Sequence, residues 1–335
     1  MEFRTVVKID PSPAKISYKS RVMFIGSCFA SSIGMKLEAG RIPVLINPAG
    51  TVYNPVSVSN TLDIILNKRI FSIDNLYNYE GTYLSFLHYT DFSSADPEKV
   101  IEKINCSSEK AHGFLKSADF LFITLGTARI YTFRETGEVV SNCHKLPASR
   151  FERSMLKVAE VVDVLRKKLD LLHAGFPDLK VVFTVSPVRH WKDGAHENQI
   201  SKAVLHLATE ELLSHPAVLG YFPAYEMLMD DLRDYRFYET DMLHPSSEAI
   251  DYIWESFANC YFDNNTFELW KEVERITRAC SHVIKDPSAK GTGIFARKMI
   301  DLIEIAEAKE PMLDLSAEKD YFCKLLNGLS EKQTD

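Results

Sequence analysis

The chain of 335 residues carries 39 Lys plus Arg against 46 Asp plus Glu, a formal charge of −7, with 46% hydrophobic and 25% charged residues. Those proportions supply enough apolar surface for a substantial core, which excludes intrinsic disorder and fibrous repeats. With no basic stripe to displace counterions from phosphates, nucleic acid is not an expected partner.

The opening residues, MEFRTVVKID, lack the basic stretch and unbroken apolar run of a secretory leader. No apolar run approaches the ~20 residues needed to cross a bilayer. A cytoplasmic location without membrane association is the expectation. Six cysteines, at 28, 106, 143, 260, 280 and 323, include no Cys-x-x-Cys pair, which suits reduced thiols and no metal site.

In chain order, short apolar runs at residues 22–25, 43–46, 120–124, 180–185 and 218–222 alternate with stretches of helical period. The helical stretches are 57–66, 97–115, 152–172 and 200–213. This alternation predicts an α/β fold with a parallel sheet of five strands. Residues 131–133 and 138–140 read as a hairpin inserted after the third strand. From residue 247 the period is helical throughout, over 247–262, 266–283, 291–308 and 316–329, with Pro287 and Pro311 as breaks. Two regions are expected: an α/β domain over 1–264 and a helical C-terminal extension over 265–335.

Ligands of open α/β sheets gather beyond the carboxyl ends of the strands. After the first run comes Gly26-Ser27-Cys28-Phe29-Ala30, then a stretch able to form a helix. A serine at such a turn lies near free backbone N–H groups and the positive helix end, both suited to a developing oxyanion. Far downstream, Asp241 and His244 stand three residues apart in Thr240-Asp241-Met242-Leu243-His244-Pro245. There the carboxylate can fix one imidazole nitrogen while the other serves Ser27 as base. Read singly, Ser27 is equally a helix cap, and the Asp241-His244 turn reads better as a surface turn with an Asp cap and an incidental His.

Together these stretches resemble the GSCFA family, named for the five residues found at 26–30, within the wider SGNH or GDSL hydrolase superfamily. The resemblance covers roughly residues 20–265. It implies a three-layer α/β/α sandwich on a five-stranded parallel sheet, an SGNH-hydrolase-like domain, followed here by the helical extension. It also implies Ser27 as nucleophile, His244 as base and Asp241 as its support, in cleavage or transfer of O-acyl groups without metal or cofactor.

Gly50 matches the glycine whose N–H would join that of Ser27 in the oxyanion hole. Gly126 matches the glycine of the next block, but Ala128 stands where an Asn donor is expected. Thr127, Arg129 and Asn54 are the candidate replacements. After the fourth run, Arg189 and His190 are suited to an anionic or hydroxyl-rich group and Trp191 to a sugar face or acyl chain. His196 reads as a cap-region residue, and Cys28 as a small buried thiol more than a second nucleophile. The charges from Asp230 to Arg236 read as a network bracing the loop of Asp241, with Glu226 a partner for an arginine. The expected substrate is an acylated carbohydrate or small-molecule ester. The alternatives are an O-acyltransferase using the same triad and a non-catalytic ligand- or glycan-binding module.

Overall fold

The computed structural model describes residues 4–281 and 290–331. The central sheet is parallel, built from β1 (Val22–Gly26), β2 (Val44–Ile46), β5 (Phe120–Leu125), β9 (Lys180–Val185) and β10 (Val218–Tyr221) in the order β10-β9-β5-β1-β2. From β1 the chain goes to β2 on one side and reaches β5 on the other, with Gly26 beside Thr124. The strand order therefore reverses at β1 and β5, the position where such sheets open a crevice.

Alternation along the strands supplies both faces of the sheet. Met23, Ile25, Leu121, Ile123, Val181 and Phe183 share one buried cluster with residues of α2 (Pro55–Leu66), α4 (Val158–Gly175) and α5 (Gly194–Leu212). On the opposite face Phe24 and Phe122 stack with ring centroids 4.9 Å apart. Here α1 (Cys28–Ala39) approaches through Gly34, where a Cβ would lie 2.7 Å from Ile46, so only glycine fits. Helices on both faces of a five-stranded parallel sheet give the α/β/α fold expected of the chain.

Two small sheets stand outside the central one. β3 (Tyr77–Tyr79) and β4 (Thr82–Leu84) form a hairpin whose turn residues Glu80 and Gly81 have φ of 50° and 80°. The expected hairpin is β6 (Arg129–Phe133) with β7 (Val139–Val140), and it gains a third strand, β8 (Phe151–Met155). The helix expected from residue 152 therefore starts only at Val158. Cross-strand pairing with β6 and burial of Phe151 override the helical period over those residues.

The chain divides into two compact units. The first comprises residues 1–9, 21–34 and 44–255, and holds the whole central sheet together with α3 (Pro97–Leu115) and the single turn α6 (Ala224–Glu226). The second comprises residues 10–20, 35–43 and 256–335. Its helices include α8 (Asn264–Cys280), α9 (Lys290–Lys309) and α10 (Ser316–Glu331), while α7 (Ser247–Tyr261) runs from the first unit into it. Within the second unit Trp270 covers Gly40 and donates its indole N–H to the Lys36 carbonyl at 2.8 Å. Pro287 and the end of the helix expected at 266–283 lie outside the described residues. Among the described residues no helix is long and apolar enough to cross a membrane.

Candidate functional site

Ser27 directly follows β1 and precedes α1, 1% exposed at the point of strand-order reversal. The turn that carries it is tight. Gly26 has φ +147°, and a Cβ there would lie 2.2 Å from the Thr124 carbonyl oxygen. Asn47, past the end of β2 and itself at φ 43°, ties the first two turns together. Its Oδ1 accepts the Gly26 N–H at 2.8 Å and its Nδ2 donates to Ser31 Oγ at 2.8 Å.

The Ser27 hydroxyl donates to Ser186 Oγ at 2.9 Å. Ser186 follows β9, is wholly buried, and also accepts the Val188 N–H at 3.3 Å. Beneath both lies Lys202 of α5, 2% exposed, whose Nζ donates to the carbonyls of Gly126 at 2.7 Å and Ser186 at 2.6 Å. That ammonium joins the ends of β5 and β9. Burial lowers its pKa to about 7.

His244 and Asp241 form the other half of the site. Asp241 Oδ2 meets His244 Nδ1 at 2.6 Å, while Oδ1 accepts the N–H groups of Leu243 at 2.8 Å and His244 at 2.9 Å. These bonds, led by the His244 N–H and then its ring, hold the Asp241 carboxyl down at about 2. Met242 takes φ +59° to close the turn, and Tyr238 bridges to Pro245 across its base.

A cleft of about 520 Å³ has both Ser27 and His244 in its walls, with Tyr53, Asn54, Thr127, Arg189 and His190. The loop from Ser141 to Ala148 and strands β6 and β8 supply its outer side. Asn54 caps α2, its Oδ1 accepting the Ser57 N–H at 2.9 Å, and no bond from its Nδ2 occurs among the described residues. Burial, reinforced by the nearby Lys202 charge, lowers the His190 pKa to about 4, so this ring is neutral near pH 7. Its Nε2 is buried without a hydrogen-bond partner among the described residues.

The backbone N–H groups of Gly50, Gly126 and Thr127 are engaged within the protein. The Gly50 N–H donates to the Asn47 carbonyl at 2.7 Å, closing a turn in which Gly50 has φ +78°. The N–H groups of Gly126 and Thr127 both donate to the Tyr53 carbonyl, at 2.8 and 2.9 Å. None of the three faces a substrate carbonyl while those bonds stand. Thr127 Oγ1 is likewise engaged, with Ser201 Oγ at 3.0 Å. Of the candidate replacements for the absent Asn, Arg129 pairs with Glu197, and Asn54 Nδ2 makes no bond among the described residues.

Trp191, 49% exposed, belongs to an adjoining cleft with Tyr235, Tyr238 and Met242, and the Arg189 guanidinium sits 5.1 Å from its ring centroid. Of the charges from Asp230 to Arg236, Arg233 pairs with Asp230 and Arg236 with Asp234, while Asp231 pairs with Arg4 and accepts the Tyr252 hydroxyl at 2.6 Å, and none of them bonds Asp241 among the described residues. Glu226 meets Tyr221 and His206, not an arginine. Cys28 lines the cleft, but burial raises its thiol pKa, which opposes a thiolate nucleophile. Among the described residues no cluster of three His, Cys, Asp or Glu side chains is arranged to hold a metal ion.

Sequence reasoning assigned no role to Ser186, Lys202 or Asn47. For Lys202 a signal existed: it falls on the buried stripe of α5 with Asn198, Ser201, Leu205 and Leu212, where a lysine needs acceptors.

Among solved structures, the chain is similar to a carbohydrate esterase family 3 from Talaromyces cellulolyticus, at 9% identity and a TM-score of 0.36, over 76% of this chain and 99% of that one. No curated protein matches it in sequence. The model of the GSCFA family matches residues 21–257, a span that includes Ser27, Asn54, Ser186, Asp241 and His244. The chain belongs to the GSCFA family.

Proposed function

We propose that the protein is a serine hydrolase that cleaves O-acyl esters through an acyl-enzyme. The observation that carries this reading is that Ser27, on its strained turn, shares one cleft with His244, whose Nδ1 is held by Asp241 at 2.6 Å. That contact leaves His244 Nε2 to act as base. Ser27 Oγ attacks the ester carbon and its proton passes to His244 Nε2. The carbonyl electron pair moves to oxygen, where Asn54 Nδ2 and the amino end of α1 stabilise it. Collapse breaks the bond to the alcohol oxygen, which takes the proton from His244. Water then attacks the acyl carbon, gives its proton to His244, and the acid leaves as Ser27 is reprotonated.

The non-catalytic reading draws on the Ser27 hydroxyl facing Ser186 and on the engaged N–H groups of Gly50 and Gly126. A fluorophosphonate probe separates the two. Peptide mapping should find the label on Ser27 in the wild type and lose it in His244→Ala. A folded wild type that takes no label overturns the hydrolase reading.

A further inference from the structure

The protein carries a formal charge of −7, yet the walls of the Ser27 cleft hold Arg129, Lys145, Arg189 and Lys192 and no Asp or Glu. Arg129 is neutralised by Glu197. The other three have no ion pair among the described residues. Lys145 and Lys192 are exposed, the latter with Nζ 5.7 Å from the Tyr131 ring centroid. Arg189 is half-buried and held in place. Its N–H contacts the Leu243 carbonyl at 3.4 Å, its guanidinium stacks on Trp191, and its Nε is buried with no hydrogen-bond partner among the described residues.

Asp241, the carboxylate of the catalytic turn, is already engaged by two N–H groups and the His244 ring. Three like charges around a cleft repel one another and focus the local potential. A guanidinium that lines the cleft, held against Trp191 and without an ion pair among the described residues, offers its outer N–H groups to a carboxylate or phosphate.

We infer that the cleft accepts an ester bearing a negative charge on its acyl or alcohol part, with Arg189 as the specific anion contact and Lys145 and Lys192 as an outer attracting field. The inference rests on the proposed site at Ser27 and names its substrate class. A carboxylate on the acyl side and a phosphate on the alcohol side share this chemistry, and the test separates them.

The binding arm uses Ser27→Ala protein, so that no turnover is required. Succinate, inorganic phosphate and neutral dimethyl succinate are titrated while Trp191 fluorescence and calorimetry report occupancy. At least one anion should bind about 10–100-fold tighter than the neutral diester. The preference should shrink with salt, collapse in Arg189→Gln, weaken a few-fold in the exposed variant Lys192→Gln, and survive in Lys167→Gln, remote on α4. The kinetic arm compares 4-nitrophenyl acetate with 4-nitrophenyl hemisuccinate on the wild type. Succinate preference in both arms assigns the charge to the acyl side, and phosphate preference assigns it to the alcohol side. Anion preference without any turnover sustains the inference and sinks the hydrolase reading. Equal binding of neutral and anionic probes, or a preference undiminished in Arg189→Gln, overturns the inference whatever the turnover.

Discussion

Ser27 gives its hydroxyl proton to the Ser186 hydroxyl, 2.9 Å away, inside the wall of the cleft. In the proposed mechanism the same proton passes to His244, so the bond to Ser186 must break before attack. A neutral hydrogen bond is worth about 0.5–1.5 kcal/mol net. Ser186→Ala should therefore leave fluorophosphonate labelling unchanged or up to about tenfold faster. A hundredfold slowing, measured by intact mass against time, would make Ser186 a member of the proton path instead.

Asn54 caps α2 and, in the proposed mechanism, donates to the oxyanion, and one substitution can part the two. Asn54→Asp keeps the oxygen that accepts the Ser57 N–H and removes the amide donor. The expected loss in kcat is about 10²–10³-fold with unchanged thermal stability. Asn54→Ala loses the donor and the cap, and should also cost about 1 kcal/mol of stability by urea denaturation.

In the proposed mechanism Asp241, 2.6 Å from His244 Nδ1, fixes the tautomer of that ring. Asp241→Asn should lower the labelling rate by about 10²–10⁴-fold while the protein remains folded. Folding depresses this carboxyl from 3.8 to about 2. Its contribution is thus complete above pH 3.8 and is lost as pH falls through about 2. Circular dichroism followed from pH 5 to 1.5 should show an acid-induced loss of stability that is smaller in Asp241→Asn.

For Lys202 the sign is reversed. Folding lowers its pKa from 10.5 to about 7, so between those values the unfolded chain holds a proton that the folded chain has released. Stability should rise with pH across that window. Urea midpoints of wild type and Lys202→Met, taken at several pH values from 6.5 to 10.5, should diverge in slope, and parallel curves would refute the assignment. The methionine variant also strands two buried carbonyls, at about 1–3 kcal/mol each.

The central sheet was legible because its strands are buried on both faces and read as plain apolar runs such as Phe120-Leu121-Phe122-Ile123. The segment from Phe151 to Met155 was not, because its exposed Glu152, Arg153 and Ser154 imitate the polar face of a helix until β6 is seen to pair with it. The hairpin at Tyr77 to Leu84 had a signal in Glu80-Gly81 between aromatic residues, which the reading passed over. At the site, the resemblance carried by Gly26–Ala30 and by Asp241 and His244 singled out Ser27 and His244, which line one cleft, and Asp241, which meets the His244 ring. Where the Gly50 N–H points could not be read, because a glycine in sequence does not say where its N–H goes, and here the Asn47 carbonyl takes that hydrogen. Ser186 and Lys202 depend on two strand ends meeting, which no local pattern records.

The Asn47 side chain bonds both Gly26 and Ser31, on either side of Ser27, so the segment behind that residue is cross-tied to the turn after β2. Adaptation to substrates of different bulk then falls to the opposite wall, the loop around Cys143 and Lys145 with the short strands beside it. Among family members, changes in length and composition should concentrate in that wall, while the turn keeps its asparagine and glycine.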